Sequence, residues 1–265
     1  KLGARYKKNP GDYIAKKAYD GARHGLSSKI SNVSKTTNIK TAKSKASTIE
    51  VSGDSPDLLN NFFDNIYCLN LDSRPDRWSA CSKKFNKLSI QVERFSAYGA
   101  HSPGVVRGYN SLVSTIPSAN ERKSKSLITS IGAMGCLVSH INILRDAKSK
   151  RYNKILILED DVIFINDFLQ KIGIIRKIND WSLLYLGSSQ HSWPKNTINE
   201  AKKHGFYKAN RSCGTFAYAV DSSMYDKLIS LFSELKKPVD EYLCMEQRVN
   251  EKCYVIYPWP LNINR

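Results

Sequence analysis

The feature that most constrains the fold is an aliphatic run that leads directly into three carboxylates. Residues 155–158 are Ile-Leu-Ile-Leu, and Glu159, Asp160 and Asp161 follow at once. Four consecutive aliphatic residues are typical of a strand buried on both faces, as in a parallel sheet covered by helices. Ligands of open α/β sheets bind beyond the carboxyl ends of such strands. The sequence therefore predicts an α/β fold with a polar site where this strand ends.

The three carboxylates have the chemistry of a divalent metal site. In an extended strand, Glu159 and Asp161 point to one side and Asp160 points to the other. Mg²⁺ and Mn²⁺ prefer oxygen ligands and are often bound by one or two carboxylates together with substrate phosphates. We therefore assign Glu159 and Asp161 as candidate metal ligands and expect a nucleotide-bearing substrate. The alternative is a solvated turn that caps the next helix.

The first 55 residues differ in composition from the rest of the chain. They have little apolar periodicity, and residues 34–45 consist mainly of Lys, Ser, Thr and Asn. Such a segment buries too little apolar surface to offset the entropy lost on ordering. We expect a basic low-complexity arm or linker over residues 1–55 and a folded domain over residues 56–265. Because the sequence does not begin with Met, we expect a fragment of a longer protein.

The net charge of +17 leaves several classes of partner open. Nucleic acid, an anionic membrane surface and phosphorylated substrates all attract a basic protein. The excess charge lies in the arm and in scattered lysines and not in a stripe interleaved with aromatic residues, so we predict no specific nucleic acid. We recognise neither a membrane span nor a signal peptide. Cytoplasm is the default location, with the secretory pathway as the alternative if a signal was removed. The oligomeric state is left open, with a dimer as one alternative.

The cysteines show no spacing of a zinc site. They are Cys68, Cys81, Cys136, Cys213, Cys244 and Cys253, without a C-x-x-C pair. Several lie in apolar runs, where a thiol packs as a small hydrophobic group. We expect free thiols, with a bridge between Cys244 and Cys253 as the alternative.

Hydrophobic periodicity predicts alternating strands and helices after the arm. The expected strands cover residues 66–71, 91–95, 155–158, 183–186, 215–220 and 253–257, and the expected helices cover 75–88, 132–147, 168–177 and 222–235. Pro75 suits the first turn of a helix that Asp72 or Ser73 caps. Residues 99–125 are rich in Gly, Pro, Ser and Arg, and their length predicts a mobile functional loop. The alternation favours a largely parallel sheet with helices on both faces.

Four segments, taken in chain order, resemble glycosyltransferase family 25. They are residues 66–77 (IYCLNLDSRPDR), 132–140 (GAMGCLVSH), 155–162 (ILILEDDV) and 238–243 (PVDEYL). Each motif alone is weak, whereas four in the family's order are specific. The family includes lipooligosaccharide and procollagen galactosyltransferases. The resemblance implies a GT-A type, Rossmann-like fold and an inverting, metal-dependent transfer of a hexose from UDP-glucose or UDP-galactose to a glycan or protein hydroxyl.

The resemblance also implies roles for particular residues. The acidic run takes the place of the family's DxD element, which holds Mn²⁺ or alternatively Mg²⁺, with Asp161 as the best direct ligand. The residues assigned to the donor are Asn70, Leu71, Arg74, Arg77, Ser139, His140 and Asp160. Guanidinium groups suit this place because they pair bidentately with phosphate oxygens. The alternatives are that Arg74 or Arg77 pairs with Asp72 or Asp76, and that His140 is a hydrogen-bonded structural residue.

The late acidic motif supplies the candidate catalytic base. A single displacement needs a base for the proton of the acceptor hydroxyl and a cation for the leaving diphosphate. Asp240 and Glu241 are the candidates, with a helix N-cap at Asp240 as the alternative. Two rival functions stay open: a noncatalytic glycan-binding or scaffold module on the same fold, and a basic nucleic-acid-binding protein whose affinity depends on salt and not on manganese.

Overall fold

The structure is a computed structural model that describes residues 57–190 and 197–263. The basic arm expected over residues 1–55 lies outside the described residues. The division into an arm and a folded domain therefore stays a prediction.

The described strands and helices alternate along the chain. The strands are β1 (Asn65–Asn70), β2 (Glu93–Ser96), β3 (Lys154–Glu159), β4 (Val162–Phe164), β5 (Leu183–Tyr185), β6 (Ser189–Gln190), β7 (Phe206–Lys208), β8 (Ser212–Cys213), β9 (Ala217–Asp221), β10 (Cys253–Ile256) and β11 (Leu261–Ile263). The α-helices are α1 (Asp57–Phe62), α2 (Pro75–Lys87), α3 (Pro103–Thr115), α4 (Ala119–Ser124), α5 (Ile131–Ser149), α6 (Phe168–Ile172), α7 (Thr197–His204), α8 (Tyr225–Phe232) and α9 (Val239–Gln247). Short 3₁₀ helices at Gly173–Lys177 and Ser222–Met224 complete two of the predicted helical segments.

In the described residues, the central sheet has seven strands in the order β2-β1-β3-β9-β5-β10-β7. The pairs β2/β1, β1/β3 and β5/β10 are parallel, whereas β9 is antiparallel to both of its neighbours and β7 is antiparallel to β10. All strands of this sheet except β7 and β9 therefore run in one direction. Two short pairs, β4 with β11 and β6 with β8, lie outside it. The predicted α/β fold with a mostly parallel sheet is confirmed.

Strand β3 is buried on both faces, as its aliphatic run predicts. Ile155 and Ile157 belong to a core cluster that includes side chains of α3, α5, α8 and α9. Leu156 and Leu158 belong to a second cluster with side chains of α1, α2 and α6. Because successive side chains of a strand point to opposite faces, helices must cover both sides of the sheet here.

Two local predictions were wrong. Residues 99–125 form α3 and α4 instead of a long loop, because Pro103 occupies the first turn of α3 and Gly108 lets that helix pack closely against Met134 and Leu235. The N-cap position of α2 is Arg74, without a capping side-chain hydrogen bond. Asp72, the expected cap, accepts hydrogen bonds from Arg94 and Ser96 instead.

Gly135 permits a close backbone contact between α5 and the segment after β2. A Cβ atom at this position would lie 2.4 Å from the carbonyl oxygen of Tyr98. We expect Gly135→Ala to destabilise the fold by about 1–3 kcal/mol, because backbone must move to accept the methyl group. Gly132→Ala is the matched control, since its Cβ would have Ser130 Oγ as its nearest neighbour at 4.0 Å. Thermal melting of both variants tests this, and equal melting temperatures would contradict it.

Candidate functional site

Asn70, the last residue of β1, organises the carboxyl edge of the sheet. It is 1% exposed. Its Nδ2 donates to Asp160 Oδ2 at 2.6 Å and to the carbonyl oxygen of Arg74 at 3.0 Å. Its Oδ1 accepts from Arg94 Nε at 2.9 Å. Because a buried amide is costly without hydrogen bonds, these contacts fix the turn after β3 against the loop after β1.

Arg77 pairs with both aspartates of the acidic run. Its Nη1 lies 2.9 Å from Asp160 Oδ1 and 3.7 Å from Asp161 Oδ2. β3 ends at Glu159, and Asp160 and Asp161 lie in the following turn. The strand alternation predicted through Asp161 was therefore wrong, because the backbone turns before Asp160. One guanidinium faces both aspartates, while Glu159 contacts other groups.

Asp161 has a buried carboxylate oxygen, Oδ1, that has no hydrogen-bond partner among the described residues. Burial and the charges of Glu159 and Asp160 raise the pKa of Asp161 and outweigh the opposing charge of Arg77. A cation beside Oδ1 would supply the missing partner and relieve the repulsion between carboxylates. The surroundings of Asp161 therefore fit a ligand of a divalent ion.

The other residues of the first motif lie at the surface of the same edge. Arg74 forms a bidentate pair with Asp76 on the first turn of α2, with Nε–Oδ1 2.9 Å and Nη2–Oδ2 2.7 Å. The pairing considered as an alternative for Arg74 thus occurs, whereas Arg77 reaches the acidic run instead. Leu71 is 36% exposed. Its side chain offers apolar surface next to the polar site.

Ser139 ties α5 to the segment after β2. Its hydroxyl donates to the carbonyl oxygen of Gly135 at 2.7 Å and accepts from the amide of Tyr98 at 2.8 Å. The residue is 1% exposed. Ser139 is therefore buried between α5 and the segment after β2, where it holds the backbone of Tyr98.

Glu159 points toward α5 and the loop before β9. Its Oε1 accepts a hydrogen bond from Thr215 Oγ1 and lies 3.9 Å from His140 Nε2. Burial alone would raise the pKa of Glu159, but the nearby His140, the hydrogen bond from Thr215 and the charge of Arg77 outweigh burial and lower it. Glu159 is therefore an ionised carboxylate. His140 is fully buried, and its Nδ1 lies 2.8 Å from Tyr218 Oη, so His140 has the hydrogen-bonded position considered as its alternative.

Asp240 and Glu241 lie in the first turn of α9. The residue before this helix is Pro238, so the N-cap considered for Asp240 was wrong. Asp240 Oδ1 accepts from the amide of Glu241 at 3.0 Å. Burial, followed by the charges of Glu241 and Glu159, raises the pKa of Asp240 and outweighs the backbone hydrogen bonds that lower it. Because the charge of Glu159 affects the pKa of Asp240, the late acidic pair lies within electrostatic range of the acidic run.

Sequence reasoning missed Thr215, Cys136 and Tyr218 at this site. Thr215 reaches Glu159 because β9 is inserted next to β3, and that strand order cannot be read from periodicity. Cys136 was expected only to be a free thiol, like the other cysteines. The four-residue spacing of Cys136 and His140 on a helix was a readable signal, since residues at i and i+4 share a face.

All six cysteines are free in the described residues. The alternative bridge between Cys244 and Cys253 was therefore wrong. Cys244 lies beside Cys213 instead, with the two Sγ atoms 3.4 Å apart.

Comparison with known proteins identifies the family. The family model described as "Glycosyltransferase family 25 (LPS biosynthesis protein)" matches residues 63–243. The chain belongs to glycosyltransferase family 25. The resemblance of the four motifs is thereby confirmed, and the mixed, mostly parallel sheet fits the GT-A-like, Rossmann-like fold that it implied.

Several relatives match a part of their length. The chain is 29% identical over 185 residues to "Glycosyltransferase 25 family member" of Anopheles gambiae, covering 68% of this chain and 31% of the relative. It is 27% identical over 192 residues to "Procollagen galactosyltransferase 2" of Mus musculus, covering 68% and 30%. It is also 27% identical over 213 residues to "Inactive glycosyltransferase 25 family member 3" of Homo sapiens, covering 76% and 35%. The chain thus spans about a third of these relatives.

A solved structure of mouse xyloside xylosyltransferase 1 in its apo form is similar at 9% sequence identity and a TM-score of 0.36, covering 72% of this chain and 71% of that chain.

Among the described residues, no helix combines the length and the apolar character needed to cross a bilayer.

Proposed function

We propose that this chain transfers a hexose from a nucleotide sugar to a hydroxyl group of a glycan or protein. The observation that carries the proposal is the buried Oδ1 of Asp161, which lacks a hydrogen-bond partner in the part of the chain that the structure describes. Asp161 lies beside Arg77 and Asp160 at the carboxyl edge of the sheet. Open α/β sheets bind ligands at this edge. UDP-glucose and UDP-galactose are the donors to test first, and the mouse relative's name supports galactose.

Asp161 is the proposed direct ligand of Mn²⁺, with Mg²⁺ as the alternative ion, and Glu159 adds negative charge from the end of β3. Both ions favour carboxylate oxygens shared with substrate phosphates. Arg77 balances only one of the two aspartate charges it faces, so the turn retains net negative charge for a cation. A bound divalent ion would stabilise the negative charge of the leaving diphosphate.

The proposed donor residues divide into contacting and positioning groups. Arg74 has a half-exposed guanidinium and Leu71 an exposed side chain, so both are available to phosphate or nucleoside. Asn70 and Asp160 hold the orientation of Arg77 through their hydrogen bonds. Ser139 and His140 are buried and act through their neighbours, the Tyr98 backbone and Glu159.

Asp240 or Glu241 is the proposed base of an inverting displacement. The acceptor oxygen attacks the anomeric carbon while the bond from that carbon to the diphosphate breaks, and the electron pair leaves with the diphosphate. The carboxylate takes the proton of the acceptor hydroxyl as the new bond forms. The raised pKa of Asp240 favours it, since a base is most effective when its pKa approaches the working pH.

A noncatalytic sugar-binding module on the same fold is the second candidate. The human relative named as inactive has an identity to this chain similar to that of the mouse galactosyltransferase. Such a module would bind a nucleotide sugar or glycan without turnover.

A panel of nucleotide sugars distinguishes the two candidates. We expect one donor to raise the melting temperature in the presence of Mn²⁺ and to be slowly hydrolysed, because water can replace the acceptor. Binding without hydrolysis or transfer to any hydroxyl acceptor would support the noncatalytic module. The absence of metal-dependent binding for every donor would contradict both the donor site and the metal assignment.

A further inference from the structure

Cys136, His140 and Glu159 form a compact group beside the proposed donor site. Cys136 and His140 lie one turn apart on α5, and Glu159 is the last residue of β3. The thiol, imidazole and carboxylate ligand atoms all lie within 4.8 Å of one another. Cys136 and Glu159 are partly exposed, so the group can be reached from solvent.

His140 supplies the second observation, which points to a ligand. The residue is 0% exposed, and its buried Nε2 atom has no hydrogen-bond partner within residues 57–190 and 197–263. The distance of 3.9 Å from this atom to Glu159 Oε1 is too long for a hydrogen bond. A buried polar atom without a partner is costly, and an ion between the imidazole and the carboxylate would supply the partner.

Tyr218 holds the imidazole of His140 in place, as a residue that hydrogen-bonds to a metal ligand does. Its Oη lies 2.8 Å from His140 Nδ1. When Nδ1 carries the proton and donates it to Tyr218, the lone pair of Nε2 points toward Glu159. Metal-binding histidines usually have their other ring nitrogen held by such a hydrogen bond.

We propose that Cys136, His140 and Glu159 bind a zinc ion with an open fourth position. A thiolate, an imidazole and a carboxylate are the ligand types of zinc sites, whereas Mn²⁺ and Mg²⁺ prefer oxygen ligands alone. Zinc bonds of about 2.0–2.3 Å in a tetrahedron separate ligand atoms by roughly 3.3–3.6 Å, so side-chain movements of about 1 Å close the site. Binding converts the Cys136 thiol to a thiolate, and its proton passes to solvent.

The zinc site would join the carboxyl end of β3 to α5. Glu159 immediately precedes the turn that contains Asp160 and Asp161, so an ion on Glu159 would restrain the backbone that leads into this turn. Glu159 contributes negative charge to both proposed sites, but Asp161 is the direct manganese ligand and Cys136 is a ligand of zinc alone. The zinc proposal therefore does not depend on sugar transfer. The two sites differ in ligand chemistry and can be tested separately.

Zinc titration of the metal-free full chain tests the site, with Co²⁺ as a spectroscopic probe. We expect one tight equivalent of zinc and a thiolate-to-cobalt charge-transfer absorption. Cys136→Ser should remove that absorption and weaken zinc binding by at least the 10–100-fold that loss of a second-layer partner typically costs. Cys213→Ser is the matched control, because Cys213 is also partly exposed but lies outside the group. It should retain both signals.

Two further variants separate ligation from folding. Tyr218→Phe should keep a cooperative melt and weaken zinc affinity about 10–100-fold, because the imidazole loses its orienting partner. Asp161→Asn should retain zinc binding while losing manganese-dependent donor binding. No tight zinc binding by the folded wild type, or an unchanged cobalt spectrum in Cys136→Ser, would overturn the zinc site. Zinc binding by a folded wild type that shows no manganese-dependent donor binding would contradict the proposed donor site and leave the zinc site standing.

Discussion

Replacing Asp161 with asparagine should remove the metal-dependent part of nucleotide-sugar binding while the fold is retained. The amide keeps the size of the side chain but loses the charge that a divalent cation needs. We expect donor affinity in the presence of Mn²⁺ to fall at least about 10–100-fold, the range for loss of a single partner around a metal. Donor affinity without metal should not change. Calorimetric titration with UDP-glucose and UDP-galactose, with and without Mn²⁺, measures both quantities.

Asp167→Asn is the matched control for this variant. Asp167 is an exposed carboxylate six residues further along the chain, and its side chain pairs with Lys171 at 3.6 Å. Its substitution makes the same change of charge and should leave metal-dependent binding intact. Unchanged manganese-dependent affinity in Asp161→Asn would eliminate Asp161 as the ligand.

The pH dependence of donor binding provides a second measure of Asp161. Protons compete with the metal for the carboxylate, and the pKa of Asp161 is raised above its ordinary value of 3.8. Manganese-dependent donor affinity should therefore decrease as the solution is acidified. This decrease, the acid limb of the profile, should begin at a higher pH than it would for an aspartate with an ordinary pKa. The Asp161→Asn variant should lack this acid limb. An identical acid limb in both proteins would assign it to another group.

Periodicity predicts the layers of this fold because burial on both faces leaves a direct trace in the sequence. The alternating core assignments of Ile155 to Leu158 follow from four consecutive aliphatic residues. The helix at Pro103–Thr115 leaves a weaker trace, because one of its buried positions, Val105, Gly108 and Leu112, is a glycine. Pro103 and Gly108 are helix breakers in isolation, yet one sits in a first turn and the other faces a neighbouring helix. Proline is favourable in a first turn, so only at Gly108 does tertiary packing override propensity.

The composition of the candidate site could be predicted more completely than its internal contacts. The motifs located Asn70, Arg77 and the acidic run. The pairing of Arg77 with Asp160, however, depends on where β3 ends. A change of one residue in that end point alters which carboxylates share a side. The contact of Glu159 with Thr215 depends on the insertion of β9 beside β3. Strand order is a long-range property that local patterns do not encode.

Replacing the proposed catalytic base should slow transfer greatly without loss of donor affinity. If Asp240 is the base, Asp240→Asn should lower the transfer rate by about 10²–10⁴, because proton removal occurs only in the transition state. Affinities for the donor and for Mn²⁺ should stay at the wild-type level. Glu241→Gln is the parallel variant, and the larger rate loss of the two identifies the base. Single-turnover transfer and donor titration measure the two effects separately.

The fold should tolerate Asp240→Asn for two physical reasons. The amide oxygen can still accept the hydrogen bond from the backbone N–H of Glu241. Because the folded-state pKa of Asp240 is raised, ionisation of this carboxyl lowers the stability of the folded state as pH rises above its unfolded pKa. At neutral pH the neutral amide should therefore melt at an equal or higher temperature than the wild type. A rate loss accompanied by a large fall in melting temperature would indicate a structural role instead.

The pH profile of transfer distinguishes the base from a residue that merely positions substrate. The wild-type rate should rise with pH through the raised pKa of Asp240, since only the ionised carboxylate can accept a proton. This rise should be absent in the residual activity of Asp240→Asn and present in Glu241→Gln. Transfer at near wild-type rates by both variants would eliminate the late acidic pair as the base. Equal losses of donor affinity in both would assign the pair to the metal or the nucleotide, because a group that binds the ground state affects affinity before the chemical step.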